Sequence, residues 1–223
     1  RGPRAPGKTK SEQLLNDRGA ALHDLDAKKL IDAFAGLGIV CAILKPDLGL
    51  EGAATGDHTD TIESLSIRID NATKRSDIVI LDWNIGDEEK PGQNAKRLIR
   101  AILNTDEPLA GSARSDDHSR RLRLIAIYTG DDDLVSIANE IDELLRKLEL
   151  GDVASDNFRV KAGPVTIAVY GKGNPTIVGP DRERRVSEDE LPERLRDEFS
   201  KMTEGLLSNA ALEAMSALRT NTH

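Results

Sequence analysis

Four short apolar runs punctuate the chain: Ile39-Val40-Cys41-Ala42-Ile43-Leu44, Asp77-Ile78-Val79-Ile80-Leu81-Asp82-Trp83, Leu122–Tyr128 (LRLIAIY) and Val165–Tyr170 (VTIAVY). None alternates apolar with polar residues as a strand with one wet face does. Continuous runs of this length instead read as strands covered on both faces. Stretches of helical period separate them. Leu25, Leu30, Ile31 and Phe34 form one stripe, and Ile62, Leu65, Ile69 and Ala72 a second. Ala95, Leu98, Ile99, Ile102 and Leu103 form a third, and Leu134, Ile137, Ile141, Leu144, Leu145 and Leu148 a fourth. Buried strands alternating with amphipathic helices predict an α/β fold, a doubly wound parallel sheet with helices on both faces.

The punctuation agrees with that order. The first stripe stops at Gly36 and Gly38, and the first run closes at Lys45-Pro46. Asp60 and Glu63 have capping-box spacing ahead of the second stripe. Asp131, Asp132 and Asp133 suit a helix start, where carboxylates meet free amides and the positive dipole end. Thr105–Arg121 is polar and aperiodic and reads as an exposed insertion. After Pro180 the strand pattern ends. Ser187 and Glu190 again have capping-box spacing, Leu191, Leu195, Phe199 and Leu206 follow at helical intervals, and Leu212, Met215 and Leu218 suggest a second helix. The expected division is a basic arm and linker over 1–22, an α/β domain over 23–180 and a helical extension over 187–219. That extension either packs on the sheet or is offered to a partner.

Composition removes several classes. The 223 residues carry 31 basic and 39 acidic side chains, a formal charge of −8, and include only six aromatic residues. Such a chain lacks the means for a phosphate-tracking groove or a base-stacking platform. The arm RGPRAPGKTK is basic, but so short a segment supplies few phosphate contacts and reads as a solvated tail. The extension from 181 holds seven basic and ten acidic residues, which does not suit a DNA-reading helix. No apolar stretch approaches the ~20 residues of a membrane helix. Cys41 is the single cysteine, and the four histidines are scattered, so no disulfide or Cys/His zinc site is expected. A reducing, cytoplasmic setting fits this cysteine usage.

In an open parallel sheet, ligands gather at the carboxyl ends of the strands. The second run ends on Asp82-Trp83-Asn84, the third on Thr129-Gly130 and the fourth on Gly171-Lys172. A carboxylate, a hydroxyl and an ammonium thus stand at three consecutive strand ends. A carboxylate can take up a phosphoryl group as an acyl phosphate. A compact divalent cation such as magnesium offsets the charge, and a hydroxyl and a lysine can hold the remaining phosphoryl oxygens. Neither G-x-G-x-x-G nor G-x-x-x-x-G-K-[ST] follows a strand, so no nucleotide-binding loop competes for this edge.

The runs DIVILDWN, RLRLIAIYTG and VTIAVYGK, in this order, resemble the receiver domain of two-component response regulators over roughly residues 23–175. The chain resembles a divergent bacterial branch with an added helical C-terminus. The resemblance implies a flavodoxin-like sheet in which Asp82 is the phosphoacceptor. It implies magnesium bound by Asp82 and by the Asn84 backbone carbonyl, with Thr129 as switch hydroxyl and Lys172 as the phosphate-pairing lysine. A histidine kinase or other phosphodonor is the implied partner upstream. Downstream, an output protein or a second copy would dock through the C-terminal helices.

Several departures accompany it. Receivers open with a strand ending in an acidic pair, and no such strand precedes Ile39. If Ile39–Leu44 is the second strand of the family, the central first strand is missing, and we expect an N-terminal strand beyond Arg1 to supply it. Alternatively the strands close up and Asp47, following Pro46, serves as the acidic metal ligand; Asp47 otherwise caps a loop. Gly173 stands where receivers usually carry proline. Val169 occupies the usual place of the switch aromatic, with Tyr170 one position on and facing the other way.

The leading expectation is therefore a phosphorylation-controlled signalling domain rather than an enzyme with its own substrate. The alternative is a pseudo-receiver that docks proteins independently of phosphorylation, which the unseen acidic pair favours. An aspartyl-phosphate phosphohydrolase ranks last, because Asn84 occupies the position where such enzymes need a second acid. Trp83 is expected to pack, or to make a surface contact, beside the site.

Overall fold

The structure is a computed structural model that describes residues 25–44, 62–74, 76–86, 90–105, 122–173 and 180–204. Helix α1 (Ala27–Gly36) begins where Asp26 accepts a hydrogen bond from the Lys29 amide at 3.0 Å, a side-chain N-cap. It is followed by α2 (Ile62–Thr73), β1 (Ile78–Leu81), α3 (Gln93–Thr105), β2 (Arg123–Thr129) and α4 (Leu134–Lys147). A hairpin of β3 (Val153–Ser155) and β4 (Arg159–Ala162) comes next, then β5 (Val165–Lys172), a 3-10 turn (Pro180–Arg184) and β6 (Arg185–Val186). A last helix, α5, occupies 191–204 within the described residues.

The sheet order is β1-β2-β5-β4-β3, with β6 beside the end of β5. β1, β2, β5 and β6 run parallel, while β4 and β3 add an antiparallel edge. β2 and β5 are buried at every position, as their unbroken apolar sequences require. Side chains that alternate along these strands feed two cores. Ile125, Ile127, Ile167 and Val169 face α2, α3 and α4. Leu124, Ala126, Tyr128, Ala168 and Tyr170 face α1 and α5. The chain is thus a doubly wound α/β domain, the class its alternating pattern predicts.

The first apolar run differs from expectation. Residues 39–44 join no ladder among the described residues, and Val40 is 98% exposed. Only Ile39, Cys41 and Ile43 pack, against the α1/α5 core. The run is therefore covered on one face, not two. The physical reason lies at β1, which has a strand partner on one side only among the described residues. Residues 1–22, Asp47, Asp60 of the Asp60/Glu63 capping box, the 106–121 part of the insertion, Leu206 and the 212–218 stripe lie outside the described residues. Among the described residues, no helix is long and apolar enough to cross a membrane.

Candidate functional site at the carboxyl ends of β1, β2 and β5

Asp82 directly follows β1, and the register places Leu81 beside Ile127 of β2. Thr129 ends β2 beside Gly171, so Lys172 on β5 lies one residue beyond it. Lys172 must span β2 to reach Asp82, and its long apolar stem allows this. Its ammonium donates to Asp82 Oδ2 and stands 5.8 Å from the centre of the Tyr128 ring. The Lys172 side chain is 4% exposed, whereas that of Asp82 is 35% exposed. The carboxylate thus has one oxygen held by a sealed cation and an open side. Its Oδ1 accepts the backbone N–H of Asn84 at 3.2 Å, which fixes the turn after β1.

Thr129 is fully buried. Its Oγ1 donates to Asp131 Oδ2 at 3.2 Å and accepts the Asp131 backbone N–H at the same distance. Asn84 Nδ2 also donates to Asp131 Oδ2, at 2.9 Å. A chain of hydrogen bonds thus runs from Asp82 through Asn84 and Asp131 to Thr129. Asp131 had been expected only as part of a helix start. Asp133 fulfils that task alone, accepting from the Ser136 amide at 2.9 Å, which releases Asp131 to face Asn84 and Thr129. Three aspartates in a row carry no signal that separates these duties.

Trp83 is buried under the start of α3, where Gly92 approaches so closely that a Cβ would lie 2.1 Å from the ring. Lys96 Nζ stands 5.6 Å from the ring centre. Tyr170, the displaced aromatic, belongs to the α1/α5 core while Val169 belongs to the other, as strand alternation demands. Its hydroxyl donates to Glu198 Oε2 of α5 at 3.2 Å. A polar groove of about 400 Å³ between α3 and α4, lined by Lys96, Arg97, Arg100 and Lys147 among others, touches none of Asp82, Thr129 or Lys172.

The fit of a magnesium ion can be judged from the oxygen donors. Among the described residues, no three His, Cys, Asp or Glu side chains gather into a metal-holding group. Magnesium, however, retains several waters and takes one or two carboxylates together with phosphoryl oxygens. Asp82, with one side of its carboxylate open, offers one such donor.

Residues 2–176 match the family model of the response receiver domain, and the chain belongs to that family. No curated protein and no solved structure matches the chain. Family membership carries a signalling role as a receiver in two-component response regulation.

Proposed function

We propose that Asp82 accepts a phosphoryl group and that Thr129 and Lys172 receive its oxygens. The observation that carries this reading is the sealed Lys172 ammonium drawn across β2 onto a carboxylate that keeps one side open. An Asp82 oxygen attacks phosphorus, and the bond from phosphorus to the donor's imidazole nitrogen or acyl oxygen breaks. The leaving atom keeps the electron pair. Lys172 then exchanges a carboxylate contact for a phosphoryl oxygen. Thr129 leaves Asp131 for another, and so reorients the loop that follows β2.

Asp82 and the Asn84 backbone carbonyl would hold magnesium, with Asp47 as a further oxygen donor. The ion supplies charge neutralisation of the phosphoryl oxygens. The phosphodonor would be a histidine kinase or a small acyl phosphate. The α/β domain over 23–180 would receive the signal, and the helices over 187–219 would deliver it to an output protein or a second copy.

The test uses the single tryptophan, Trp83, as an internal probe. Full-length protein titrated with magnesium and beryllofluoride should show a saturable fluorescence change, and Asp82→Asn should abolish it. Acetyl phosphate should give the same response with covalent incorporation at Asp82. A flat titration in the intact protein would overturn this reading in favour of the phosphorylation-independent docking module.

A further inference from the structure

From residue 180 onward, the chain lies on the far side of β5 from β2. β6 pairs with the end of β5, so Thr129, Gly171 and Arg185 form one row across three neighbouring strands. The Arg185 side chain is 3% exposed and crosses directly over Gly171. A Cβ at 171 would lie 2.8 Å from Arg185 Cγ and 3.0 Å from its Nη1. Gly171 is not among the glycines with positive φ. The arginine's passage, not backbone conformation, is what calls for glycine there.

Past Gly171, Arg185 Nη2 donates to the carbonyls of Asp131 at 3.1 Å and Asp132 at 3.2 Å, and to Asp132 Oδ1 at 3.2 Å. The Asp132 side chain is 93% exposed, so the ion pair itself is screened. The two backbone carbonyls are what fix the guanidinium. Among the described residues its Nε is buried without a partner, so burial of this cation is incompletely compensated. Its neighbour Val186 accepts the Tyr128 hydroxyl at 2.9 Å. Five residues beyond Val186, α5 starts, with Leu191 and Leu195 sunk in the same core as Tyr128. One side chain thus touches the loop carrying Asp131 on one end and is covalently joined to the α5 segment on the other.

We propose that Arg185 is a positioning residue that holds the 130–133 loop beside Thr129 and couples the state of the Asp82 site to α5. The inference rests on the receiver reading above for its trigger, since Thr129 leaving Asp131 is what would shift the two carbonyls against the guanidinium. Reorientation of the loop then moves β6 and the first turn of α5, a transfer through one bistable hydrogen-bond set.

Amide hydrogen exchange on the full chain tests it with two perturbations of different kind. Arg185→Gln removes the guanidinium and its charge and leaves a shorter, neutral amide. Gly171→Ala leaves the guanidinium intact but pushes the side chain off the strand. Without ligand, each variant should speed exchange over 130–137 and over 191–195 about tenfold, and the double variant should go no further than either. Arg185→Lys, which keeps the charge, should recover part of the protection. Unchanged exchange in either segment, or additive effects in the double variant, overturns the proposal. With magnesium and beryllofluoride, the wild type should change exchange over 191–204. Arg185→Gln should keep the Trp83 fluorescence response and lose the change at 191–204; a retained change there also overturns the proposal. If wild-type Trp83 does not respond, the receiver reading falls, while the ligand-free comparison still decides the role of Arg185.

Discussion

Lys172 and Asp82 share a contact but not an environment: the ammonium is sealed and the carboxylate is open to solvent. A cation so placed is suited to recognising charge that arrives beside Asp82. Lys172→Met should therefore weaken beryllofluoride binding by roughly 10–100-fold, the worth of a charge-assisted hydrogen bond. The Trp83 titration measures it. Arg123 is a further buried cation, and it serves structure. Its Nη1 donates to the Thr73 carbonyl at 3.1 Å and to that of Ser76 at 2.5 Å, which caps the negative end of α2. Arg123→Met should cost about 2–4 kcal/mol in urea denaturation, because buried carbonyls lose their donor. Tyr170 gives a pH signature. Burial first, then the Glu198 carboxylate, push its phenol from 10.0 up to about 12. The folded chain thus favours the neutral phenol, so this contribution to stability is whole below pH 10 and is lost as pH rises through about 12. Tyr170→Phe should flatten the fall of the unfolding free energy across that window. An unchanged pH profile would refute the assignment.

At the level of elements, α3 starts against a ring. Gly92 has φ +77° and lies on Trp83, so Gly92→Ala meets both a disfavoured backbone conformation and a steric block. It should lower stability by about 2–4 kcal/mol and shift the Trp83 emission. Val40, by contrast, faces solvent in the 39–44 run, and Val40→Thr should change stability by less than ~0.5 kcal/mol. β1, β2 and β5 were legible in the sequence because each is an unbroken apolar run, and Asp82, Thr129 and Lys172 were legible as the residues that end those runs. Ile39–Leu44 carries the same apolar signature yet forms no ladder among the described residues, since composition cannot announce whether a neighbour is there to pair. The β3–β4 hairpin was invisible. Val-Ala-Ser and Arg-Val-Lys-Ala are too short to announce a strand period, and their turn is set by Asp156, whose Oδ1 accepts the amides of Phe158 and Arg159 at 2.8 Å. Arg185-Val186 is shorter still. Its meaning comes only from the strand it lands on, so Arg185 leaves no trace in periodicity.

Across the whole molecule, α5, the described part of the helical extension, packs into the core of the α/β domain. α5 buries Leu191 and Leu195 completely against Leu124, Ala126, Tyr128, Ala168 and Tyr170. Glu198 of the same helix pairs with Arg159 of β4, whose Nη2 donates to Oε2 at 2.8 Å. Two buried leucines contribute roughly 3–6 kcal/mol, a large share of a domain's net stability. A chain ending at residue 186 should therefore lose cooperative unfolding and bind an apolar dye through its bared sheet face. A cooperative transition at the full-length midpoint would contradict this. The match to the receiver family stops at 176, well short of the residues that complete this core. The crossing of Arg185 over Gly171 has a consequence in another kind of data. In related chains we expect the two positions to change together, because a Cβ at the place of 171 would lie 2.8 Å from the Cγ of an arginine crossing it as Arg185 does. Paired change at those two columns would mark which members of the family wire a tail helix to the switch loop in this way and which have found another route.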